Sequence, residues 1–369
     1  MTETPERAAR TRPVLRNLLW WLTPTSLATA GLTVLLLLNR AWGADVAAIA
    51  GLPLSVAAIV VSILIVQGWF TTPWLRVPTG RLRRGRLVAA LTVVVLLAGA
   101  VFWWVRREPD PFEYMSGEVR IGYVDHQYKG WHTDGPGGTP VGFDADLVRE
   151  IGAHFTGANL VWVDLSTLDN REAALAGRWR AAPGQPWQRP VKLVVSTYSM
   201  TPERAERVDF AGPYFVDMQG FVSRTGATSI ADIPPGKVCV LRDSNSDKKL
   251  TQAGFGPVRE DSLAACFSQF KKGHYDAVSH DRSLIAGYAE DRDLKISAPL
   301  TYGAEKYAVA MPNNMPRLCE EISKVIDDFL RYSWSESFAA NLVPLGLAES
   351  DYVRPPGAEP CQPPGPRLL

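Results

Sequence analysis

Three long apolar runs occupy the first third of the chain, and none of them contains a charged side chain. They extend over 18–38, 46–70 and 87–105. Each has about the 20 residues that an α-helix needs to cross the hydrocarbon core of a bilayer. A cleaved signal peptide has a shorter apolar region and no further spans behind it. We therefore predict a three-helix transmembrane region, 18–107, behind a short N-terminal segment, 1–17.

The arginines predict the orientation of these helices. Four arginines precede the first run and five lie between the second and third runs, whereas the first connecting loop carries only Arg40, balanced by Asp45. Because positively charged loops remain in the cytoplasm, the N-terminus and the second loop are expected there. Arg106 and Arg107 oppose this orientation but are outnumbered. We expect a multi-pass protein of the cell (plasma) membrane, with everything after the third run outside the cytoplasm.

Past residue 117 the apolar positions alternate between two shorter patterns. Strand-like patterns occupy 119–124, 160–163, 192–196, 238–241, 276–279 and 307–311. Helix-like patterns occupy 147–155, 170–176, 263–270 and 318–332. Asp144 stands where the N-cap of the first of these helices belongs. Such alternation is typical of mostly parallel sheets covered by helices, with ligands at the carboxyl ends of the strands.

Two segments on either side of this region have a different composition. The stretch 108–116 holds two prolines and three acidic residues, and we interpret it as a linker. The stretch 351–369 is rich in proline, and we interpret it as an irregular C-terminal tail.

The even charge balance of the chain conceals two unlike parts. The 369 residues carry 39 basic and 38 acidic side chains, a net charge of +1. Residues 1–107 have a net charge of +9, and residues 108–369 have a net charge of −8. A nucleic-acid partner is not expected, because it would require a basic face on the outer part.

Gly135-Pro-Gly-Gly lacks the strand and helix that surround a dinucleotide-binding motif.

All four cysteines lie in the part that we expect outside the cytoplasm, where disulfides persist. Four cysteines allow three pairings. Among these we favour Cys239 with Cys266 and Cys319 with Cys361, the second of which would tie back the tail. No cysteine or histidine spacing resembles a zinc site, so neither a metal nor a cofactor is expected.

The most distinctive motif of the chain is 196–215, with the sequence STYSMTPERAERVDFAGPYF. It resembles the family 3 extracellular solute-binding proteins, the polar amino-acid receptors of ABC importers, and in particular their glutamate and glutamine binders. Four other segments follow the family's order, namely 142–147, 170–172, 239–246 and 276–281. The resemblance covers roughly residues 117 to 347.

The resemblance implies an α/β two-lobed periplasmic-binding-protein domain of type II, a Venus-flytrap, over 117–350. Lobe 1 would comprise 117–219 and 305–350, and lobe 2 would comprise 220–304. The expected fold is therefore three transmembrane α-helices followed by this domain. Its implied function is to close on one polar amino acid, so that we expect a binding protein with no catalytic residues.

Five residues of the matching segments are implied to contact the ligand's backbone groups. Arg204 matches the arginine that grips the α-carboxylate, for which a guanidinium offers a planar fork and a permanent charge. Ser199 matches a hydroxyl residue at the α-amino or carboxylate group, and Thr197 matches a position that acts mainly through its backbone. Asp281 matches the acid that pairs with the α-ammonium, and a histidine such as His280 precedes that acid in some glutamine binders.

Two loops complete the site that the resemblance implies. Ser244 and Asn245 match the lobe 2 loop whose amides and hydroxyls receive the carboxylate. Asp125, Gln127 and Tyr128 occupy the first loop of lobe 1, which often supplies an aromatic wall and a side-chain contact.

Several features depart from the family's pattern. Asp243 stands where the family often has glycine, and a carboxylate that faced the ligand's carboxylate would repel it. The stretch 178–190 is an insertion rich in arginine, tryptophan and proline, and Lys192 replaces a usual aspartate. Typical members are secreted or lipid-anchored rather than held by three helices.

These departures leave the receptor's partner open. The favoured alternative is a receptor tethered beside an ABC permease encoded elsewhere. The second is an amino-acid sensor that relays closure through its helices to a partner signalling protein. A ligand-gated channel and a dehydratase-type enzyme on the same fold are lesser alternatives. Under the first two, the partners are a polar amino acid, the lipid bilayer and either the permease or the signalling protein.

Overall fold

The computed structural model describes the C-terminal two thirds of the chain, over residues 108–124, 128–135, 137, 139–288, 296 and 304–362. These residues belong to one compact unit, Glu108–Leu369. The three apolar runs of the N-terminal third lie outside them. Within the described ranges, no helix combines the length and the apolar character that a membrane span requires.

The described residues form ten strands and nine α-helices. The strands are β1 (Gly117–Tyr123), β2 (Thr133–Asp134), β3 (Pro140–Val141), β4 (Ala158–Asp164), β5 (Leu193–Val194), β6 (Val208–Ser223), β7 (Val238–Leu241), β8 (Val258–Glu260), β9 (Ala277–Asp281) and β10 (Ala304–Pro312). The helices are α1 (Pro111–Tyr114), α2 (Phe143–His154), α3 (Asn170–Leu175), α4 (Pro202–Ala205), α5 (Asn245–Gln252), α6 (Leu263–Lys271), α7 (Arg282–Tyr288), α8 (Pro316–Asp328) and α9 (Trp334–Asn341). A π-helical turn, Phe329–Ser333, joins α8 to α9, and 3-10 turns lie at Ile230–Asp232, Val343–Leu345 and Glu349–Asp351.

Eight strands form one sheet with the order β4-β1-β5-β10-β6-β9-β7-β8. The strands β4, β1 and β5 are parallel at one end, and β9, β7 and β8 are parallel at the other. Between them β6 and β10 are antiparallel to each other, β10 is antiparallel to its neighbour β5, and β6 is antiparallel to its neighbour β9. The prediction of a mostly parallel sheet therefore holds at the two ends and is wrong for the middle. The predicted boundaries between the lobes lie on these two crossing strands.

The predicted strands are present, and one prediction about a helix start is wrong. Gly142, not Asp144, is the N-cap of α2, and the side chain of Asp144 is fully buried. Gly142 has φ +130°, and a Cβ atom there would lie 2.3 Å from the carbonyl oxygen of Trp131. Only glycine fits this close approach, which lets the chain enter α2 directly from the preceding turn.

The core of the unit is rich in aromatic side chains. Phe215 of β6 stacks on Trp334 and Phe338 of α9, with ring centroids 5.7 and 6.2 Å apart. Phe143 of α2 meets Phe215 edge-on at 5.4 Å. These contacts bury the crossing strand β6 between α2 and α9 and fix the half of the sheet that belongs to lobe 1.

The stretch 108–116 is joined to the domain rather than extended from it. The carboxylate of Glu108 accepts from the amides of Arg317 and Leu318, at 3.0 and 2.9 Å, and so binds the first turn of α8. Asp110 caps α1 and forms an ion pair with Arg317 at 3.0 Å. The segment that we interpret as a linker thus contains a helix and is attached to the N-terminal end of α8.

The structure confirms both favoured disulfides. Cys239–Cys266 joins β7 to α6, and Cys319–Cys361 joins α8 to the tail. The tail is further held by the amide of Glu359, which donates to the carbonyl of Gly212 at 2.6 Å, and by the buried ring of Tyr352.

Candidate functional site

A pocket lies at the carboxyl ends of β5 and β9, beside the crossing strands. It has a volume of about 310 Å³, including the part that is open to solvent. Its lining residues are Tyr128, Leu168, Arg171, Thr197, Ser199, Arg204, Ser244, Asn245, His280 and Asp281. The structure thus brings together eight of the ten predicted ligand-binding residues and adds Leu168 and Arg171. The two others, Asp125 and Gln127, lie outside the described residues.

Arg204 turns inward from the short helix α4. Thr201 caps this helix by accepting from the amide of Arg204 at 3.3 Å. The side chain of Arg204 is only 6% exposed, and Nη1 donates to the carbonyl of Ser199 at 2.8 Å. Its acidic neighbours in the sequence have other partners, because Glu203 pairs with basic residues and Asp209 accepts from a backbone amide. Arg204 therefore lines the pocket without an ion pair to any described residue.

A second arginine, Arg171 of α3, lies beside it. Its side chain is buried, and Nε donates to the carbonyl of Leu168 at 3.0 Å. The guanidinium carbons of Arg171 and Arg204 lie 3.9 and 4.8 Å from the ring centroid of Tyr198, so one aromatic ring orients both cations. Burial, and then the charge of Arg204, lowers the pKa of Arg171 to about 10. Arg171 stays charged at neutral pH and has no acidic partner among the described residues.

Sequence reasoning missed Arg171, although it lies in one of the segments that match the family's order. Its position on α3 carries no sign that the side chain turns inward. In the structure its neighbour Glu172 has other partners, because its carboxylate accepts from the hydroxyl of Tyr198 at 3.0 Å and pairs with Arg207. Since Glu172 is occupied in this way, it does not neutralise Arg171.

Asp144 holds the backbone of the pocket's floor. The amide of Thr197 donates to its Oδ2 at 3.0 Å, and Thr197 has φ +44°, in the left-handed region. Asp144 also accepts from the hydroxyl of Tyr214 at 2.7 Å and lies 3.0 Å from Nδ1 of His132. The other ring nitrogen of His132 is 3.0 Å from the carbonyl of Val124. This buried network explains why Asp144 is not used as a helix cap.

The N-terminus of α5 forms the lobe 2 wall of the pocket. Ser244 is its N-cap, and its Oγ accepts from the amide of Asp247 at 3.1 Å. Asn245 donates through Nδ2 to Glu305 of β10 at 2.7 Å, so the first turn of α5 is fixed to a crossing strand. The first amides of a helix lack intrahelical partners and carry partial positive charge. This wall therefore favours an anionic group.

Asp281, at the end of β9, supplies a carboxylate to the same pocket. Its Oδ2 accepts from the hydroxyl of Tyr307 at 2.6 Å, whereas its buried Oδ1 has no hydrogen-bond partner among the described residues. The amide of Asp281 donates to Nδ1 of His280 at 2.8 Å, which places the proton of the neutral ring on Nε2. An unpartnered buried carboxylate oxygen is costly, and a cationic group in the pocket would relieve that cost.

Three buried acids surround the crossing strands behind the pocket. Tyr307 donates to Asp281 and lies 3.2 Å from Asp217, and Glu305 pairs with Lys249 at 2.5 Å. Burial raises the pKa of Asp217 to about 6. Burial, and then the charges of Glu305 and Asp217, raises the pKa of Asp281 well above its usual value. The carboxyl group of Asp281, which faces the pocket, thus holds its proton more tightly than an ordinary aspartic acid does.

The two lobes meet around the pocket. Lys248 of α5 donates to Glu203 of α4 at 2.8 Å, an ion pair between lobe 2 and lobe 1 whose side chains are 42% and 57% exposed. Gly287 of α7 packs on the backbone of Lys129, where a Cβ atom would lie 3.2 Å from the Cβ and the carbonyl oxygen of that residue. The described residues therefore hold the cleft in a closed arrangement.

Two departures from the family's pattern have structural explanations. Asp243 has φ +60°, a left-handed conformation that glycine adopts without strain. Its side chain is exposed and does not line the pocket, so no carboxylate opposes an anion there. Lys192 donates to the carbonyls of Tyr114 and Ser116, at 2.5 and 3.2 Å, at the end of the sheet opposite the pocket.

The pocket supplies two guanidinium groups, the amides of a helix N-terminus and one incompletely satisfied carboxylate. Its charges are therefore complementary to two anionic groups and one cationic group. No group of three or more metal-ligating side chains occurs among the described residues.

Residues 119–334 match the family model of the bacterial extracellular solute-binding proteins, family 3. The match covers more than half of the chain, and the chain belongs to this family. The family resemblance of the 196–215 motif is thereby confirmed.

Several curated relatives share part of the sequence. The glutamate-binding protein GluB of Corynebacterium efficiens is 26% identical over 184 residues, which are 48% of this chain and 60% of that protein. The ABC transporter glutamine-binding protein GlnH of Bacillus subtilis is 26% identical over 138 residues, 36% of this chain and 50% of that protein. The L-arginine-binding protein of Pseudomonas aeruginosa is 29% identical over 191 residues, 50% of this chain and 67% of that protein. The chain thus spans between half and two thirds of the length of these relatives.

Solved structures share the fold. An ancestral arginine-binding protein bound to glutamine superposes with a TM-score of 0.52 at 24% identity, over 61% of this chain and 98% of that one. The solute receptor for L-cysteine of Neisseria gonorrhoeae gives a TM-score of 0.56 at 21% identity, over 65% and 96% of the two chains. The predicted two-lobed periplasmic-binding-protein fold is confirmed.

Proposed function

We propose that this protein is an extracytoplasmic receptor for an acidic α-amino acid, with glutamate as the best-fitting ligand. The observation that carries the proposal is the charge content of the pocket. Two buried arginines without acidic partners, Arg171 and Arg204, share it with Asp281, which has an unpartnered carboxylate oxygen.

The backbone groups of an amino acid match one end of this arrangement. Arg204 and the first amides of α5 receive the α-carboxylate, which is then bound from both lobes. Asp281 receives the α-ammonium through Oδ1. A zwitterion can be buried only if both of its charges are matched, and these groups match both.

Arg171 then determines which ligand side chain the pocket favours. Its guanidinium is free to pair with a second carboxylate, as in glutamate or aspartate. A glutamine amide would hydrogen-bond to Arg171 but would leave its charge unmatched, and a basic side chain would repel it. The name of the relative GluB, a glutamate-binding protein, supports a ligand of this class.

The ligand acts by favouring the closed state. Because its carboxylate contacts Arg204 in lobe 1 and α5 in lobe 2, it binds the closed arrangement more tightly than an open one. The closed population then rises by an amount that depends on this difference in affinity.

The membrane is the second part of the proposal. The three apolar runs of the first third tether the receptor to the plasma membrane, with the binding domain outside the cytoplasm. The partner that receives the closed receptor is an ABC-type permease for amino acids, a role supported by the name of the relative GlnH.

The experiment that tests the ligand is a calorimetric and thermal-shift survey of residues 108–369 against the standard amino acids. We expect glutamate to stabilise the protein most, followed by aspartate and glutamine, with little effect of lysine or arginine. Glutarate, which lacks the ammonium group, and γ-aminobutyrate, which lacks the α-carboxylate, serve as chemical controls and should bind weakly. A survey in which no α-amino acid binds contradicts the proposal.

The importer role needs a separate test in cells. Deletion of the gene should lower the uptake of labelled glutamate, and the full chain should restore it whereas the Arg204→Ala variant should not. Uptake that is unchanged by the deletion would contradict the importer role and leave the ligand proposal standing.

A further inference from the structure

The insertion 178–190 forms a surface loop that the pocket does not use. Its base is closed by the buried Trp179, whose Nε1 donates to the carbonyl of Arg189 at 3.1 Å. At its tip Trp187 is 63% exposed, and the guanidinium carbon of Arg180 lies 3.9 Å from the Trp187 ring. The loop therefore presents a large aromatic ring and a cation together to the outside.

The loop is basic within an acidic domain. From residue 173 to residue 202 there is no acidic side chain, whereas Arg178, Arg180, Arg189 and Lys192 are basic. The whole stretch 108–369 carries a net charge of −8. Among the described residues, neither Arg178 nor Arg180 has an ion pair, and Arg189 pairs with Glu118 at 2.8 Å.

The loop lies at the end of lobe 1 that is opposite to the pocket. It leads into β5, and its contacts to Glu118 and those of Lys192 to Tyr114 and Ser116 place it beside the first residues of β1. The strands β1 and β5 are parallel, and the pocket lies at their carboxyl ends. The loop is therefore at the amino ends of these strands.

The chain enters the domain at this same end. Helix α1, whose residue Tyr114 contacts Lys192, begins three residues after Glu108. Only two residues, Arg106 and Arg107, separate Glu108 from the third apolar run. Two residues reach at most about 7 Å, so the membrane tether of the proposed function would join the domain at this end of lobe 1.

We propose that the 178–190 loop is a membrane-contact site of lobe 1 that binds a surface of anionic lipid. This inference rests on the membrane tether of the proposed function and not on the identity of the ligand. Trp187 lies at the interface between headgroups and acyl chains, where an indole ring is favoured. Arg178 and Arg180 face the lipid phosphates, and each basic residue near such a surface raises binding about fivefold.

The contact has a consequence for the receptor. It holds lobe 1 at the bilayer through the end of the sheet that is opposite to the pocket. Lobe 2 then moves relative to a fixed lobe 1 when the cleft opens and closes. The partner of the loop is the lipid itself, because an exposed tryptophan among unpaired arginines matches the chemistry of the headgroup region.

The test uses the full chain in nanodiscs and a nitroxide label at position 187, introduced by Trp187→Cys. No free cysteine occurs among the described residues and the chain's four cysteines form the two disulfides, so the label attaches only to the new residue. Tyr332→Cys, at a position that is 71% exposed on the far π-helical turn, is the matched control. Power-saturation measurements with oxygen and with a water-soluble nickel chelate report the depth of each nitroxide.

We expect the label at 187 to be several-fold more accessible to oxygen than to nickel, relative to the label at 332, in discs that contain phosphatidylglycerol. The difference should shrink in discs of phosphatidylcholine alone and in a variant that also carries Arg178→Glu and Arg180→Glu. Equal accessibility at the two positions overturns the proposal, as does a 187 label that neither reagent reaches, which indicates a protein contact. A chain that does not enter nanodiscs overturns the tether and this inference together, and glutamate titration of the same samples reports the binding function separately.

Discussion

The side chains of Arg171 and Arg204 line one pocket, and neither forms an ion pair with any residue that the structure describes. Both lie against the ring of Tyr198, which orients them without neutralising them. Two buried cations that repel each other are unfavourable in an empty protein. Under the proposed function, two carboxylates of a ligand would stabilise this arrangement.

The first prediction concerns selectivity. Arg171→Met keeps the length of the side chain and removes its charge, so glutamate should lose about 1.5–3 kcal/mol of binding free energy, the usual value of a hydrogen bond to a charged group. Glutamine should lose less, about 0.5–1.5 kcal/mol, because its side chain is neutral. Calorimetry with both amino acids measures the change in preference. Arg180→Met, in the surface loop, is the control. An equal loss of binding free energy for both ligands would show that Arg171 does not distinguish the side chain of glutamate from that of glutamine.

The second prediction concerns the pH dependence of binding. Asp281 has to be ionised to bind an ammonium group, but burial and the neighbouring acids raise its pKa in the unliganded protein. Binding therefore releases a proton at pH values below this raised pKa, and the affinity falls as the pH drops through it, by up to about tenfold per pH unit. Calorimetry in two buffers of different ionisation enthalpy counts the released protons. Asp281→Asn should bind weakly and lose this pH dependence, and a wild-type affinity that does not change with pH would refute the assignment.

The stability of the unliganded protein should have the opposite pH dependence. Burial raises the pKa of Asp217 to about 6, so the folded state holds this proton more tightly than the unfolded chain does. The stabilisation is present below the ordinary pKa of 3.8 and is lost as the pH rises through about 6. Thermal melting between those limits, without and with glutamate, should show that the ligand's stabilising effect grows with pH.

The third prediction concerns the ion pair between the lobes. Lys248→Ala removes the partner of Glu203 without touching the pocket, so the closed state should be favoured less and glutamate should bind more weakly. Because both side chains are exposed, the change should stay within about a factor of five and should vanish at high salt. Arg242→Ala, which breaks a surface ion pair within lobe 2, is the matched control. A loss that is the same at low and high salt would exclude an electrostatic contact.

The fourth prediction separates stability from closure. Gly287 lies within α7, where alanine is intrinsically preferred by about 1 kcal/mol, so Gly287→Ala should not destabilise lobe 2 itself. Its methyl group would, however, press on the backbone of Lys129 when the lobes meet. We expect an unchanged or higher melting temperature of the unliganded protein together with a weaker affinity for glutamate. A variant that binds glutamate as the wild type does would show that the two lobes do not meet at this position.

The parallel strands could be predicted because their buried residues form short apolar runs, as in 238–241. The crossing strand β6 could not be predicted in this way. Its 16 residues include Asp209, Asp217 and Gln219, which interrupt the apolar pattern of a buried strand. Asp217 and Gln219 face the buried network behind the pocket, and Asp209 accepts from the amide of Met315 at the start of α8. Helix α5 was missed for a similar reason, because its sequence NSDKKLTQ has almost no apolar positions.

The residues of the family's motif come together in one place, as the resemblance implies, and their binding role stays a prediction. Arg204, Ser199 and Thr197 come from the 196–215 segment, and the structure brings all three to one pocket. Asp144 was assigned as a helix cap because its sequence position suits one, and no local pattern shows that it binds His132 and the amide of Thr197 across the fold. Long-range hydrogen bonds of this kind depend on the tertiary structure and leave no periodic signal.

The central claim is that Arg204 binds the α-carboxylate of an amino acid inside a closed cleft. Isothermal titration calorimetry of glutamate on residues 108–369 and on their Arg204→Ala variant tests it most directly. Loss of the guanidinium leaves a buried carboxylate unpaired, and the affinity should fall by about 2–5 kcal/mol while the melting temperature of the unliganded protein changes little. An Arg204→Ala variant that binds glutamate with wild-type affinity would contradict the account.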